Sequence, residues 1–199
     1  MILSDPHRFL AAIRRFDEEN AADPNREVAD GISQPRELLY AIRLTDWVLR
    51  LQPDASESLR LAARCQHICR WASPRNAYPM DRIGYLKWRA ELKKFHAAKA
   101  GQILREIGYD EATVAQVQAL NLKKEFPHNA DSRVLEDALC LVFLEFQCAE
   151  LVAKTDEKKM VSVLRKSWSK MTAQAQGEAL RLPFSPAEQR LVQLAMASD

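Results

Sequence analysis

The chain has 199 residues, of which 47% are hydrophobic and 28% charged, and its formal net charge at pH 7 is +2. This composition is typical of a globular protein that buries a substantial core. No stretch approaches the roughly 18 apolar residues of a membrane-spanning helix. The N-terminal stretch also has no apolar run of signal-peptide length. We therefore expect a soluble, cytoplasmic protein with no membrane partner.

Apolar residues recur at intervals of three and four along most of the chain, which predicts helices. The first helix is expected to begin after Ser4 or Asp5, with Pro6 in its first turn. A loop through Gly31 should lead to a second helix that ends near Pro53.

The third predicted helix contains the first residue with functional chemistry. Asp54 is its expected N-cap, Glu57 stands in the capping-box position, and the helix should run to about Trp71. Four residues at intervals of four share one face: Leu59, Ala63, His67 and Trp71. Because the other members of this row are apolar, His67 is expected to point inward.

The fourth predicted helix is long, from Asp81 to Ile107, with Gly108 as its C-terminal stop. It follows a loop at 73–80 that contains two prolines. One face carries Trp88, Leu92, His96, Ala100 and Leu104, again four residues apart. The pattern therefore places His96 in the interior as well.

Asp137 is the third inward-facing group. A fifth helix capped by Asp110 precedes a core helix over 132–153, whose segment Val134–Cys148 has apolar residues on every side. An ionised carboxylate in such a helix needs a cation, a metal or several hydrogen-bond donors beside it. A seventh helix around Met160 and a final helix opened by a capping box, Ser185 to Glu188, follow.

These elements predict an all-α protein with an HD-like helical bundle of seven or eight helices and no sheet domain. We expect a single domain over residues 1–199, with an N-terminal helical layer at 1–53, a core bundle at 54–153 and C-terminal helices at 154–199. The four cysteines lie in helical patterns and are interpreted as reduced core thiols: Cys65, Cys69, Cys140 and Cys148.

Positive charge is concentrated in the middle of the chain. Between Arg60 and Arg105 there are eleven basic residues and two acidic ones. Four arginines surround the proline loop and two tryptophans lie near them: Arg70, Arg75, Arg82, Arg89, Trp71 and Trp88. Guanidinium groups bind phosphate and tryptophans stack on nucleobases, so this region is expected to bind a nucleotide, another phosphate-bearing molecule or RNA. A solvated basic surface is the alternative interpretation.

The order His67, His96, Asp137, with separations of 29 and 41 residues, resembles the HD superfamily of metal-dependent phosphohydrolases. That family binds a divalent metal in an all-α bundle through a histidine, a His-Asp pair and a later aspartate. The strings GYDEATVAQVQALNLKK and VLEDALCLVFLE also resemble helices of that family. The resemblance implies that His67, His96 and Asp137 bind one divalent metal ion (Mn, Fe, Zn or Mg). Ala97, however, stands where the pair has its aspartate.

A second resemblance covers almost all of residues 1–150. The strings LAARCQHICRW (61–71), SPRNAYPMDRIGYLKWR (73–89) and LEDALCLVFLEFQ (135–147) are similar to an uncharacterised bacterial and fungal family known as a domain of unknown function. Some fungal members are labelled glutamyl-tRNA synthetase, but the helical pattern contains no nucleotide-binding strand–loop–helix unit to support that activity. This resemblance implies a fold and no reaction.

Two functional interpretations remain open. In the first, the protein is phosphohydrolase-like and binds a phosphate-bearing ligand in a basic cleft beside His67, His96 and Asp137. In the second, it is a non-catalytic helical module that binds RNA or an acidic protein partner, and the histidines hydrogen-bond Asp137 in a buried polar network. Both interpretations predict that Asp137 lies within contact distance of at least one of the histidines.

Overall fold

The computed structural model describes residue 3 and residues 5–197; Ser4, one of the two predicted helix starts, lies outside these. Within the described residues the chain forms ten α-helices and one two-stranded hairpin. The predicted all-α fold class is therefore confirmed, with more helices than the expected seven or eight. Among the described helices, none combines the length and the apolar character needed to cross a membrane.

The chain divides into two compact units, Met1–Ser132 and Arg133–Asp199, which we describe one at a time. The single domain predicted over residues 1–199 stays a prediction. The first unit contains α1 (Pro6–Ala21), β1 (Arg26–Ala29), β2 (Ile32–Pro35), α2 (Arg36–Leu51), α3 (Glu57–Cys65), two 3-10 turns (Arg70–Ala72 and Arg75–Ala77), α4 (Arg82–Ile107) and α5 (Glu111–Leu122).

The predicted loop through Gly31 is a β-hairpin. Strands β1 and β2 pair antiparallel, and Ala29 lies opposite Ile32. The two residues between them, Asp30 and Gly31, have φ of 53° and 76°. An Asp-Gly pair with both φ values positive is the favoured two-residue hairpin turn, so a local turn signal, and not apolar alternation, marks this element in the sequence.

The core of the first unit forms where α3 packs against α1, α2 and α5, and where α4 packs along α5. Its fully buried side chains include Phe16, Leu44, Leu59, Leu104 and Val114. The contact of α4 with α5 is close, because a Cβ added at Gly101 would lie 2.4 Å from Nε2 of Gln118.

Helix α3 differs from its predicted bounds at both ends. Ser56, and not Asp54, is its N-cap, and its hydroxyl accepts a hydrogen bond from the backbone N–H of Leu59. The helix ends at Cys65, and Cys69 has φ of 51°, in the left-handed region. His67 therefore lies in a turn after the helix and not on a helical face, which corrects the reason given for its inward position.

The second unit comprises most of α6 (Ala130–Val142), a π-helical segment (Phe143–Gln147), α7 (Cys148–Lys154), α8 (Glu157–Trp168), α9 (Ala173–Ala179) and α10 (Pro186–Met196). The predicted core helix over 132–153 is thus interrupted by the π-helical segment. Within this unit, α8 packs against α10, and each helix contributes a buried side chain, Met160 from α8 and Leu191 from α10. The capping box of Ser185 and Glu188 is present as predicted.

A two-pronged ion pair links α1 to α3, and it yields a first prediction. Nε and Nη2 of Arg64 lie 2.6 and 2.7 Å from the two carboxylate oxygens of Asp17. Lysine cannot form both bonds, so Arg64→Lys should lower the free energy of unfolding by about 1 kcal/mol in urea titrations. The control is Arg14→Lys, since Arg14 is 77% exposed and 3.9 Å from Glu18. Equal effects of the two changes would contradict the prediction.

Candidate functional site

His96 is held in one tautomer inside the first unit. The residue is 3% exposed on α4, and its Nδ1 lies 2.8 Å from the backbone carbonyl oxygen of Ile68. A carbonyl oxygen only accepts, so Nδ1 carries the proton and Nε2 carries the lone pair. That Nε2 is buried and has no hydrogen-bond partner. Burial, and next the neighbouring His67, lower the pKa of His96 to about 3. The ring is therefore a neutral acceptor at neutral pH.

His67 lies beside His96, with 5.8 Å between the ring centroids. Its ring stacks on that of Tyr40, with 4.1 Å between the centroids and 12° between the planes. The His67 side chain is 24% exposed to solvent. Burial lowers the pKa of His67 well below the ordinary value, and the positive charges of Arg70, Lys123 and Arg89 lower it further. The two histidines are therefore close together and both neutral.

Glu37 is the group that sequence reasoning missed. It lies in the first turn of α2, is 8% exposed, and its Oε2 is 3.5 Å from Nδ1 of His67. Oε2 is buried without a hydrogen-bond partner, while Oε1 lies 3.9 Å from Nε of Arg70. We call Glu37, His67 and His96 the histidine cluster. An acid in the first helical turn is ordinarily explained by the helix dipole, so no sequence signal marked Glu37 as part of a site.

Burial raises the pKa of Glu37 to about 7; Arg70 opposes this shift and the carboxylate of Asp23 adds to it. Asp23 is itself placed to hold the start of α2: Oδ2 accepts from the backbone N–H of Glu37 at 3.0 Å, and Oδ1 accepts from Asn25. The residue before α2, Pro35, offers no side-chain cap. Asp23 therefore orients the turn that carries Glu37, the residue whose pKa burial raises toward neutral pH.

The arginines on the predicted loop divide by role. Arg75 donates to the backbone carbonyl oxygens of Tyr78 and Asp81, both at 3.1 Å, and thus closes the loop at 73–80. Nε1 of Trp88 donates to the carbonyl oxygen of Ser73 at 2.9 Å. The loop packs so closely on α4 that a Cβ at Gly84 would lie 2.1 Å from the oxygen of Pro79. Arg75 and Trp88 therefore hold the loop in place. Their predicted role in binding a ligand stays a prediction.

Two other arginines face the histidine cluster. The guanidinium of Arg70 stacks over the Trp88 ring at 4.8 Å, and that of Arg89 lies 5.8 Å from the Tyr85 centroid. With Lys123, they are the cations that lower the pKa of His67, and we call Arg70, Arg89 and Lys123 the basic rim. Of the remaining predicted binding residues, Arg82 is exposed on the outer side of α4, and Trp71 is half-buried with an unpartnered Nε1.

Asp137 belongs to the second unit and has donors there. Its Oδ1 accepts from the backbone N–H of Thr172 at 2.8 Å, and its Oδ2 accepts from the hydroxyl of Thr172 at 2.5 Å. Thr172 is the N-cap of α9, so the buried carboxylate fixes the start of that helix. Burial raises the pKa of Asp137 against these bonds. The predicted contact of Asp137 with His67 or His96 stays a prediction.

Over residue 3 and residues 5–197, no group of three or more His, Cys, Asp or Glu side chains is arranged to hold a metal ion. The metal site predicted from His67, His96 and Asp137 stays a prediction, since Asp137 belongs to the second unit.

Comparison with known proteins gives one match. A family model described as "Domain of unknown function (DUF4202)" matches residues 10–192. No curated protein and no solved structure is significantly similar to the chain. The second resemblance drawn from the sequence is thus confirmed, and the resemblance to the HD superfamily stays an expectation.

Removing the charge of Asp137 tests its structural role. Asp137→Asn leaves a weaker acceptor for the backbone N–H of Thr172 and should lower the free energy of unfolding by about 1–3 kcal/mol. Thr172→Ser keeps both the hydroxyl and the N–H and should cost less than half as much. Chemical denaturation of the three proteins checks this, and an unchanged Asp137→Asn protein would contradict it.

The raised pKa of Glu37 predicts a pH-dependent stability. Unfolded, Glu37 ionises near pH 4.5, and folded near pH 7, so the folded chain binds more protons between these values. Stability should therefore fall as pH rises through this window. Between pH 4.5 and pH 8, the free energy of unfolding of the wild-type protein should fall by roughly 3 kcal/mol relative to that of Glu37→Gln, as measured in urea titrations. Glu18→Gln, a change at an exposed residue, serves as control. If the stability difference between wild type and Glu37→Gln depended on pH as little as the difference for the control, the raised pKa would be contradicted.

Proposed function

Because the chain belongs to the family described as Domain of unknown function (DUF4202), whose description names no activity, we propose a function from its own site. The protein binds a phosphate-bearing ligand, such as a nucleotide, beside His67. The observation that carries this proposal is the charge around that ring. Arg70, Arg89 and Lys123 all act on His67, while both histidines are neutral at pH 7 and burial raises the pKa of Glu37 to about 7.

The basic rim therefore carries more positive charge than the histidine cluster neutralises. A cationic site at a partly exposed ring attracts an anion, and the attraction is strengthened by the low dielectric of a mostly buried neighbourhood. A phosphate group satisfies several guanidinium N–H donors at once. The ligand class that best fits these charges is a phosphate monoester or a nucleotide.

Arg70 is the rim residue best prepared to hold a phosphate. Its guanidinium is stacked on Trp88, which restricts the side chain before any ligand arrives and so lowers the entropy lost on binding. Its contact with Glu37, at 3.9 Å, is too long for a hydrogen bond. The fork of N–H donors on Arg70 is thus oriented without being saturated by the carboxylate.

The histidine cluster adds groups that can act on a bound ester. Glu37 titrates near the operating pH, which suits a general acid or base. His96, with a pKa of about 3, is too weak a base for that role. In phosphohydrolase chemistry, the ionised Glu37 would take a proton from the water that attacks phosphorus. The bond between phosphorus and the ester oxygen would then break, and Glu37 would return that proton to the departing oxygen. His96 Nε2, an unpartnered acceptor, would receive a hydrogen bond from a ligand hydroxyl or a water.

The described residues give no support for a divalent metal, which the HD resemblance implies. Ala97 occupies the position of the paired aspartate, and the described side chains form no three-ligand group. The proposed acid–base role therefore rests on Glu37 and not on a metal.

Sulfate isolates the anion-binding part of the proposal, because it stays fully charged across the pH range in which Glu37 titrates. Sulfate affinity, measured by calorimetry, should weaken on the order of tenfold from pH 6 to pH 8 as Glu37 gains a repelling charge. In Glu37→Gln this loss should disappear. A sulfate affinity that rises with pH in the wild-type protein would argue against the site. The same loss of affinity with pH in Glu37→Gln would also argue against it.

The arginines give the matching test with nucleotides. Arg70→Gln and Arg89→Gln together should weaken AMP binding at least tenfold, whereas Arg181→Gln, a change at an arginine that is 74% exposed in the second unit, should not change it. If single-stranded RNA binds through the same arginines and AMP does not, the protein is the RNA-binding module of the alternative interpretation. If neither binds, the proposal fails.

A further inference from the structure

The outer side of α4 carries apolar side chains that the first unit does not bury. Ile83 is 78% exposed and Leu86 is 55% exposed, and Met80, just before the helix, is 75% exposed. The buried residues of the same stretch, Trp88 and Leu92, lie on the opposite side of the helix. Exposed large aliphatic residues in one patch mark an interaction surface more often than an ordinary protein surface.

The spacing of this patch is that of a helix-pairing seam. Ile83, Leu86 and Ala90 follow one another at three and four residues, as the a, d and a positions of a heptad do, and Lys93 takes the next d position. All three apolar members are exposed. A helix with such a row packs best against another helix, because knobs from each fill the holes of the other. We call Ile83, Leu86 and Ala90 the α4 seam.

The charges beside the seam specify the partner. In the same heptad frame the flanking e and g positions are all basic and exposed: Arg82, Lys87, Arg89 and Lys94. Glu91 offsets little, since it pairs with Lys87 across 3.9 Å at a solvent-exposed site. A second copy of this chain would bring these four cations against their own kind, which is unfavourable. Acidic residues at the e and g positions of the partner would instead pair with them.

We propose that the outer face of α4 docks an amphipathic helix of a partner protein that bears acidic residues on both sides of an apolar row. A lipid surface fits less well. Two protruding aliphatic residues and Met80 offer little area for insertion, whereas a helix can bury the same residues completely. Lys87 and Lys94, which take no part in the basic rim, stand at e positions, where the e and g residues of a helical partner come within reach.

The test uses the full chain and two synthetic three-heptad peptides as probes. Both peptides have Ile at a and Leu at d; one has Glu at all e and g positions, and its twin has Lys there. In fluorescence anisotropy the chain should bind the Glu peptide saturably, bind the Lys peptide at least tenfold more weakly, and lose affinity for the Glu peptide with added salt.

Matched variants locate the contact. Ile83→Gln with Leu86→Gln should weaken binding of the Glu peptide at least tenfold, whereas Val28→Gln with Ile32→Gln, two exposed positions on the hairpin, should leave it unchanged. Lys87→Glu with Lys94→Glu should reverse the preference between the peptides. Arg70 and Arg89 stay intact in every variant, so AMP binding reports on the ligand site separately.

Four outcomes would overturn the proposal. One is the absence of saturable binding to the Glu peptide, and another is equal weakening by the hairpin variant. A third is binding to phosphatidylserine vesicles that depends on Ile83 and Leu86 while peptide binding does not, which would make the surface lipid-binding. The fourth is dimerisation in sedimentation experiments that Ile83→Gln with Leu86→Gln abolishes, which would make it a self-association face.

Discussion

The hydrogen bond between Nδ1 of His96 and the carbonyl oxygen of Ile68 is the interaction on which the candidate site depends. It joins the middle of α4 to the turn after α3, two segments that are distant in sequence. It gives a partner to the carbonyl oxygen of Ile68, a fully buried residue, and a backbone acceptor is costly to bury alone. The same bond fixes the imidazole tautomer, and so leaves Nε2 available as an acceptor beside His67.

Burying Glu37 next to these rings costs free energy, and the chain keeps it there. Desolvation of the carboxyl group raises its pKa to about 7, despite the opposing charge of Arg70. A glutamine of the same shape would avoid this cost. Buried groups with strongly shifted pKa values and incomplete hydrogen bonding concentrate at functional sites. The proposed function rests on these two properties of the cluster, because a core held together by packing alone needs neither of them.

The sequence predicted the parts of the fold that local chemistry decides. Asp5 caps α1, Asp110 caps α5, and Gly108 ends α4 with φ of 91°, all as expected, because each depends on a few neighbouring residues. The predicted N-cap of α3 was wrong because Asp54 and Ser56 are both residue types that cap helices well. The hydroxyl of Ser56 also donates a hydrogen bond to Asp131. That choice depends on a residue far along the chain.

The same distinction applies to the site. The apolar row on α4 correctly predicted a buried His96, because a helical face can be read from spacing. His67 lies next to it for a reason that spacing does not contain, the left-handed turn at Cys69. Glu37 could not be found at all, since its approach to His67 depends on the packing of α2 and on Asp23, fourteen residues earlier. For Asp137 the sequence predicted a need for donors, which Thr172 meets.

Ala97 shows why a carboxylate beside the histidines comes from α2. Ala97 is 3% exposed, and its carbonyl oxygen accepts a hydrogen bond from Nε2 of Gln118 at 2.9 Å, at the close contact of α4 with α5. An ionised aspartate at this position would bury a charge where α5 offers an amide and apolar residues, at a cost of several kcal/mol. Glu37 reaches the cluster from a different helix and has Arg70 nearby to limit that cost. Burial raises the pKa of Glu37 to about 7, and the acid–base role that we propose for the cluster rests on this carboxyl group and not on a residue of α4.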